Sequence, residues 1–578
     1  MNRNVESHFA LNPTSLDIAR SQFDRSSGVK FSANVGELIP FYVDEVLPGD
    51  TFKVTTSKVV RLQTLVHPIM DNMYLDCYYF FVPNRIVWDH WKYFCGESAA
   101  AWTPQVEYRV PKINTSIFNP HPGEGSLMDY MGIPLGVLTS TDAGANPKGG
   151  INALPFRAYA KICNDWFRSE VVTDELVIPT GDSDVNANAK SASDLYCAYG
   201  GPVFKAAKYH DYFTSCLPSP QSGPTVNIPG GPLNLKGPIF TSNDPSFSIL
   251  DNPLLKVKKS GGSYVQALNV ESDNSVSYGA ATDSSLAPVN LIIDTSKYYD
   301  SSGVLKTGFK NDINLGTINE LRIAFQVQKF YEKMSRGRRY IEVLKSQFGV
   351  TSPDARLQRP EYLGGNRIPL NISEVTNNSK GESGFLGDLG AMSRTVDSHE
   401  DFVHSFTEHG FLIGLCVVRY DHSYPQGLER FWSRTTMFDY YWPVFANLGE
   451  QKVYKKEINF QVDPDGYAEN EIFGYQEYAA DYRYKPSRVA GEMRPESSNS
   501  LASWHLADYY SQAIDPNDPT KYEPYLSDSW MREDKTNVDR TLAVTSAVSN
   551  QYFADFYVQN ICTRVMPMYS IPGLADHH

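Results

Sequence analysis

A chain of 578 residues is too long for one small domain, and its formal net charge of −14 argues against nucleic-acid binding over the whole surface. Aromatic residues make up 13% of the chain, beside 40 glycines and 36 prolines, which favours many strands joined by turn-rich connections. The seven cysteines are scattered without a CxxC pair, so neither a zinc site nor a disulfide framework is predicted. Any contact with DNA therefore requires a local basic patch or a separate basic partner.

The first 36 residues are polar and lack an apolar core, so we expect an extended N-terminal arm and no signal peptide. The longest apolar run, Gly410 to Val418, is far shorter than the ~20 residues that span a bilayer. Both features predict a soluble protein that is made in a cytoplasm, where its thiols stay reduced.

Strand-like segments follow the arm. Thr51 to Leu62 alternates apolar and polar residues in places, which predicts a half-buried strand. Met73 to Val82 is almost wholly apolar apart from Asp76, which predicts a strand covered on both faces. Asn84 to Phe94 carries aromatic residues at intervals of three, and this spacing predicts a short helix.

Two longer helices and a second group of strands are predicted further along. One helix begins at Leu154, with proline in its first turn and an apolar stripe behind it. The other begins at Thr317, where Thr317 and Glu320 form a capping-box pattern. The later strands are predicted over Gly410 to Arg419, Val453 to Phe460, Ile472 to Tyr484 and Tyr552 to Met568.

The composition changes over residues 218–316, where Gly, Ser, Asn, Asp and Pro dominate. A loop of roughly 100 residues far exceeds the usual ~4–6, so the segment is functional or disordered. We predict a partly structured surface insertion within one domain that runs from residue 37 to residue 578.

A basic segment is the best candidate for a binding site. Its charges are opposed by Glu332 and Glu342 alone, and tyrosines are interleaved, which suits single-stranded nucleic acid through phosphate contact and base stacking. The segment also suits a solvated helix face or a subunit interface, and we favour this second interpretation, because residues 463–540 supply many acids. The candidate residues for DNA or subunit contact are Lys329, Lys333, Arg336, Arg338, Arg339 and Tyr340.

Patterns for catalysis or metal binding are weak. His399, His404 and His409 recur every five residues, which fits neither one helix face nor one strand face. Asp463 to Gly466 resembles a calcium loop without its terminal glutamate, so an exposed calcium contact stays open. We predict no enzyme activity, metal or cofactor; the alternative is a carbohydrate-binding β-sandwich or a glycosidase, which the aromatic residues and 66 acids would permit.

Five strings of residues, in the same order along the chain, resemble one protein family. They are SQFDRSSGVKFSANVGELIPFYVDEVLPGDTF (Ser21 to Phe52), PIMDNMYLDCYYFFVPNRIVWDHW (Pro68 to Trp91), RRYIEVLKSQFGVTSPDARLQRPEYLGG (Arg338 to Gly365), GYQEYAADYRYKPSRV (Gly474 to Val489) and the C-terminal YSIPGLADHH. Together they resemble the major capsid proteins of the gokushoviruses, small single-stranded DNA phages of the Microviridae. The resemblance covers both flanks and fails over residues 218–316.

The resemblance implies a mainly β fold, a single eight-stranded antiparallel jelly roll with helices in long loop insertions. It implies a structural protein of the virion, of which sixty copies assemble in the host bacterial cytoplasm into a T=1 icosahedral shell around a circular single-stranded DNA genome. Implied partners are an internal scaffolding protein, a small basic DNA-binding protein, a DNA pilot protein and a host surface receptor, with no membrane insertion.

The resemblance also implies that the insertion forms a protrusion at each three-fold axis of the shell and meets the host there. Loops on a rigid scaffold are suited to recognition because they vary without disturbing the core. The insertion residues that are apolar enough to hold three copies together at a tip are Tyr264, Val265, Leu268, Val270, Leu291 and Ile293.

Overall fold

The computed structural model describes residues 20–97, 107–113, 123–134, 150–184, 193–224, 226, 318–378, 387, 389–460, 471–510 and 524–569, with four short strand backbones between 256 and 278. The chain divides into two compact units, Met1–Gly223 with Phe330–His578, and Pro224–Lys329. The described part is mainly β, as predicted, and its strands pair antiparallel. No helix in this part is long and apolar enough to cross a membrane.

The strands are numbered in chain order: β1 (Ser21–Asp24), β2 (Ser27–Ala33), β3 (Ile39–Val46), β4 (Thr51–Leu62), β5 (Met73–Pro83), β6 (Lys112–Ile113), β7 (Ile151–Asn152), β8 (Lys256–Lys258), β9 (Tyr264–Gln266), β10 (Leu268–Val270), β11 (Val276–Tyr278), β12 (Glu361–Gly364), β13 (Arg367–Pro369), β14 (Ile372–Thr376), β15 (Leu389–Ser393), β16 (Thr395–Ser405), β17 (Gly410–Tyr420), β18 (Glu450–Tyr454), β19 (Ile472–Glu477) and β20 (Tyr552–Arg564). The α-helices are α1 (Trp91–Phe94), α2 (Leu127–Tyr130), α3 (Leu154–Ile162), α4 (Ile318–Ser335), α5 (Tyr340–Val343), α6 (Asp528–Met531) and α7 (Lys535–Asp539).

The first of two five-stranded sheets runs β1–β20–β4–β16, and β2 pairs with β20 beside β1. Strands β4 and β20 bury alternate residues, so one face of the sheet lies on the core and the other faces solvent. The half-buried strand predicted over Thr51 to Leu62 is thereby confirmed.

The second five-stranded sheet runs β12–β5–β17–β3, and β13 also pairs with β5. Nearly every residue of β5 and β17 is buried, because the core covers them and helix α3 contacts both strands. This confirms the prediction of a strand covered on both faces at Met73 to Val82. Neither large sheet closes on itself.

Aromatic side chains join the two sheets in one core. The ring of Phe41 on β3 lies 4.9 Å from that of Phe556 on β20, and Tyr79 on β5 lies 5.4 Å from Phe402 on β16. Such contacts add to the free energy of burial of these large side chains. A smaller cluster around Phe213 packs separately from this core.

The described part of the predicted N-terminal arm is extended backbone, in which β1 and β2 pair with β20. Residues 1–19 of the arm lie outside the described residues. The predicted insertion over residues 218–316 overlaps the second unit, where β8 pairs with β9 and β10 pairs with β11.

Three predicted elements are shorter than expected. Asn84 to Phe94 is not one helix but a 3₁₀ turn followed by α1, because the backbone N–H of Asp89 donates to the carbonyl of Thr180 instead of to its own helix. The strand predicted from Val453 ends at Tyr454, whose N–H is 3.1 Å from the Glu457 carboxylate that caps a 3₁₀ turn. The strand predicted from Ile472 ends at Glu477, because Ala479 adopts a left-handed φ of 57°.

The other elements agree with the prediction more closely. Helix α3 begins at Leu154, and strand β17 extends over Gly410–Tyr420. Strand β20 reaches Arg564 rather than Met568. The described part of α4 begins at Ile318, and the predicted cap residue Thr317 lies outside the described residues.

Candidate functional site

The basic candidates lie at the end of α4 and in the turn that leads to α5. Lys329 and Lys333 are exposed one turn apart on α4, and Arg338 and Tyr340 are exposed in the turn and at the start of α5. Gly349, in a left-handed conformation with φ of 70°, ends the short helical segment that follows.

Arg336 is engaged inside its own subunit. Its guanidinium donates to both oxygens of Glu450, at 3.0 and 2.6 Å, and to the Gln476 side chain at 2.7 Å. A bidentate pair of this kind is among the stronger side-chain interactions. Burial raises the pKa of Glu450, and the Arg336 charge opposes that rise. Arg336 therefore holds the end of α4 against β18 and β19.

Arg339 also binds within the subunit. It donates to the carbonyl of Arg168 at 2.6 Å and forms an ion pair with Glu170 at 3.2 Å. Arg338 makes a longer contact, 3.4 Å, to the carbonyl of Glu170, and its side chain stays exposed. Of the three arginines, Arg338 makes the longest contact within the subunit and no ion pair in the described part of the chain.

These arginines line a cleft of about 720 Å³, which we call the arginine cleft. Its basic lining residues come from four separate stretches of chain, and aromatic rings from β5, β12, the turn after α3 and the loop at Tyr209 lie among them. The basic residues are Arg168, Lys208, Arg336, Arg338, Arg339 and Arg419, and the aromatic ones are Tyr78, Phe80, Trp166, Phe167, Tyr209 and Tyr362.

One side of the arginine cleft is built on a single buried carboxylate. Asp76 accepts from Arg419 at 2.6 Å, Arg367 at 2.7 Å and the Tyr209 hydroxyl at 2.8 Å. Burial acts to raise the pKa of Asp76, but Arg419 and these hydrogen bonds hold it below its usual range. Both guanidiniums lie over the Tyr209 ring, at 4.2 and 4.3 Å from its centroid. Two arginines thus share one carboxylate, which leaves a net positive charge.

The acids that face the cleft offset its charge incompletely. Burial, followed by the neighbouring Glu170, raises the pKa of Glu342. A carboxyl group with a raised pKa carries less negative charge at mildly acidic pH than a free one.

Three guanidinium nitrogens in the cleft are buried donors without an acceptor in the described part of the chain. They are the Nε atoms of Arg168, Arg339 and Arg419. Buried donors are normally paired, but these three atoms are inaccessible to solvent, so a ligand in the cleft does not reach them. The aromatic rings and the exposed Arg338 are the groups of the cleft that suit base and phosphate contact with a single strand.

Sequence reasoning found one side of the cleft and missed the rest. The local run of basic residues identified Arg336, Arg338 and Arg339. Arg168 and Arg419 have no other Lys or Arg within five positions, and no spacing rule connects them to residue 336. The high aromatic content of the chain was the one signal for the rest of the cleft, but it does not show which rings lie close together.

The remaining candidates do not form a second site. His399 Nδ1 lies 3.2 Å from Asp401 on β16, and no group of three or more potential metal ligands occurs among the residues that the structure describes. Asp463 to Gly466 lies outside the described residues. Of the proposed tip residues, Leu291 and Ile293 also lie outside them, whereas Tyr264 and Val265 are on β9 and Leu268 and Val270 are on β10.

Comparisons with known proteins identify the class of molecule. The model of the family described as capsid protein (F protein) matches residues 12–574. The capsid protein VP1 of Chlamydia phage 1 is 38% identical over 99% of this chain and 98% of its own length. Those of Bdellovibrio phage phiMH2K and Spiroplasma virus 4 are 36% and 37% identical, covering 99% and 94% of this chain and 98% and 93% of their own lengths.

The chain belongs to the capsid protein (F protein) family, which confirms the resemblance to gokushovirus coat proteins. It is a capsid protein of a phage virion, and capsid proteins act by assembling into an oligomeric shell.

Proposed function

We propose that sixty copies of this chain form a T=1 icosahedral shell around a circular single-stranded DNA genome, and that its role is structural rather than enzymatic. The observation that carries this proposal is the strand order of the two large sheets. Closed shells of identical subunits require a rigid body that meets its neighbours through several different surfaces. A two-sheet core with long loops provides such a body.

The two sheets support an eight-stranded jelly roll. We count as major strands β2, β3, β4, β5, β12 with β13, β16, β17 and β20. Numbered one to eight in chain order, they run 1-8-3-6 in the first sheet and 2-7-4-5 in the second. Two interleaved Greek keys produce this order, in which consecutive strands mostly alternate between sheets.

The arginine cleft is proposed as a contact for the packaged DNA. Its exposed basic residues would bind phosphates, and its rings would stack on bases of a flexible strand. The whole chain carries a net charge of −14, so neutralising the genome also needs the small basic DNA-binding protein. The rival interpretation, a subunit contact at the cleft, is an outcome of the test below.

The other parts of the assembly follow from the same proposal. The internal scaffolding protein and the DNA pilot protein act in the host bacterial cytoplasm, where the shell assembles around the genome without membrane insertion. Because β1 and β2 pair with β20 of the same subunit, residues 1–19 are the part of the N-terminal arm, residues 1–36, that contacts neighbouring subunits. The insertion, residues 218–316, forms the three-fold protrusion that meets a host surface receptor, with its tip residues on β9 and β10.

The cleft proposal is tested by replacing Arg338, an exposed arginine that lines the cleft, with glutamine. Arg336 and Arg339 stay unchanged because they hold the subunit together. Shells should still form but package less DNA, and for single-strand binding the slope of log affinity against log salt should fall by ~0.7, the value for one phosphate that is no longer neutralised. Particle yield, DNA content per particle and salt-dependent binding are the measurements.

A charge-matched control replaces one exposed arginine elsewhere, Arg356, with glutamine. If the cleft variant loses shells while the control keeps them, the cleft is a subunit contact. DNA content and salt slope equal to those of the control would show that the cleft does not bind the genome.

A further inference from the structure

A stretch of the first unit exposes far more apolar surface than a monomer normally does. Every residue from Thr435 to Val444 is exposed. We call Phe431 to Leu448 the aromatic segment. Its most prominent exposed side chains, with their exposed fractions, are Trp432 (66%), Met437 (61%), Phe438 (66%), Tyr440 (52%), Trp442 (45%) and Val444 (88%).

Contacts with other residues of the same subunit hold the backbone of the aromatic segment in place. The Arg434 guanidinium pairs with Asp481 and lies 4.3 Å from the centroid of the Tyr482 ring. The Asp439 carboxylate accepts the backbone N–H of Thr436 at 2.7 Å and caps a 3₁₀ turn. These contacts order the backbone while its apolar side chains point to solvent, so little conformational entropy would be lost when a partner covers them.

The exposed area is large enough for a specific interface. Aromatic side chains offer ~150–250 Å² each, so the six prominent residues expose roughly 800 Å² together. Contiguous apolar patches on soluble monomers rarely exceed a few hundred Å². A standard protein–protein interface buries ~800 Å² on each partner, which is about the area that the aromatic segment presents.

The composition of the surface indicates what covers it. Asp439 is the one charged residue between Thr435 and Val444, and its carboxylate is occupied by the turn that it caps. A surface without free charge does not suit DNA, whose affinity comes from phosphate neutralisation. It suits the apolar core of a permanent protein interface. In a shell of identical subunits, the protein next to each subunit is another copy of the same chain.

We propose that the aromatic segment packs against a neighbouring copy of this chain in the assembled shell. The inference rests on the proposed shell and names one of the surfaces that build it. Around a five-fold or three-fold axis such a contact is heterologous, so there the segment meets a different surface of the neighbour.

Protection of an introduced thiol tests the contact directly. Val444→Cys is made in a Cys95→Ser background, because Cys95 is exposed and the other six native cysteines are buried. Maleimide should label residue 444 at least ten-fold more slowly in shells of purified subunits than in free subunits. Val548→Cys, at a site that is 80% exposed, is the control and should be labelled alike in both.

Equal labelling of residue 444 in shells and free subunits would overturn the inference and leave the shell proposal intact. Protection of free, unassembled subunits by another viral protein would assign the segment to that protein and also overturn it. If the parent chain forms no shells under any condition, the shell proposal itself fails.

A second variant pair measures the consequence for assembly. Trp432→Ser with Phe438→Ser should reduce shell yield at least ten-fold, while Val548→Ser leaves it unchanged. Because the replaced side chains are exposed, the unfolding midpoint of the free subunit should match that of the control. Normal yield from the double variant would contradict the inference even if the labelling result were favourable.

Discussion

His422 lies buried between two carboxylates. Its Nδ1 is 2.8 Å from Asp508 and its Nε2 is 2.9 Å from Glu533, and Lys208 is 3.1 Å from the other oxygen of Asp508. These four residues come from distant parts of the chain, and all are nearly inaccessible to solvent. Buried charges of this kind are tolerated because each one is paired.

The pairing shifts the titration of the network in two directions. Burial acts to lower the pKa of His422, but the charges of Asp508 and Glu533 outweigh it and raise the pKa from 6.5 to about 9. The imidazolium therefore contributes stability that is complete below pH 6.5 and is lost as the pH rises through 9. Burial opposes the ionisation of Asp508, yet His422 and Lys208 hold its pKa below the usual range, so its contribution is lost in acid.

We expect His422→Gln to lower the free energy of unfolding of the subunit by roughly 3 kcal/mol at pH 6, because two buried carboxylates lose their shared cation. The difference from the parent chain should shrink as the pH is raised from 6.5 to 9. Denaturant unfolding across this range is the measurement, with exposed His210→Gln as the control. A difference that stays constant with pH would contradict the assignment of a charged imidazole.

The sequence predicted where basic residues cluster, but it did not predict which residues they pair with. The basic run around Arg338 is visible in the sequence, and its position beside a cleft follows from the fold. That Arg336 binds Glu450 was not predictable, since the two residues are 114 positions apart. For the same reason, Arg419 and Asp76 gave no sign that they form one wall of the cleft.

A pair of glycines lies at the junction of β12 and β13, two strands of the second sheet. Gly364 and Gly365 lie where β12 gives way to β13 along β5. A Cβ on Gly364 would meet the Asp401 carbonyl on β16, and one on Gly365 would meet the Cys77 carbonyl on β5, both well inside van der Waals distance. Gly365 also has a φ of 142°, which other residues rarely adopt.

Gly365→Ala should therefore lower the free energy of unfolding by ~2 kcal/mol or more, because the β5 backbone at Cys77 and Tyr78 would have to move and the φ of residue 365 would be strained. Gly181→Ala is the matched control, since its Cβ would meet nothing within 4 Å. Thermal or denaturant unfolding of the two variants gives the comparison. Equal stability of both variants would mean that the junction of β12 and β13 is not tightly packed.

Strands were predictable from the sequence where their buried residues follow a regular pattern along the chain. Alternation identified β4, and a continuous apolar run identified β5, because a sheet face or a doubly covered strand imposes those patterns. The strand predicted from Val453 was too long because a 3₁₀ turn with a carboxylate cap interrupts it. A cap of this kind depends on side-chain geometry, which cannot be read from the spacing of apolar residues in the sequence.

The second unit of the chain is the part that we expect to act outside the shell. Replacing residues 224–316 with a short Gly-Ser linker keeps the hydrogen bond between Ser222 and Ser335 in the first unit. Assembled, DNA-filled particles should still form, because both five-stranded sheets lie in the first unit. The particles should no longer adsorb to host cells, as measured by depletion of particles from the medium.

Two results would revise that account of the insertion. Normal adsorption of the linker particles would remove the attachment role. Failure to form particles, with folded subunits in solution, would make the insertion an element of assembly instead.

The central claim is that this chain builds a closed shell, and the mass of the assembled coat tests it most directly. Nuclease-treated shells from cells that produce the particle are analysed by sedimentation velocity. Sixty copies of a 64.9 kDa chain predict a coat of about 4 MDa, without sugar-cleaving activity in the same fraction. A stable monomer or small oligomer, above all one that cleaves sugars, would contradict the account.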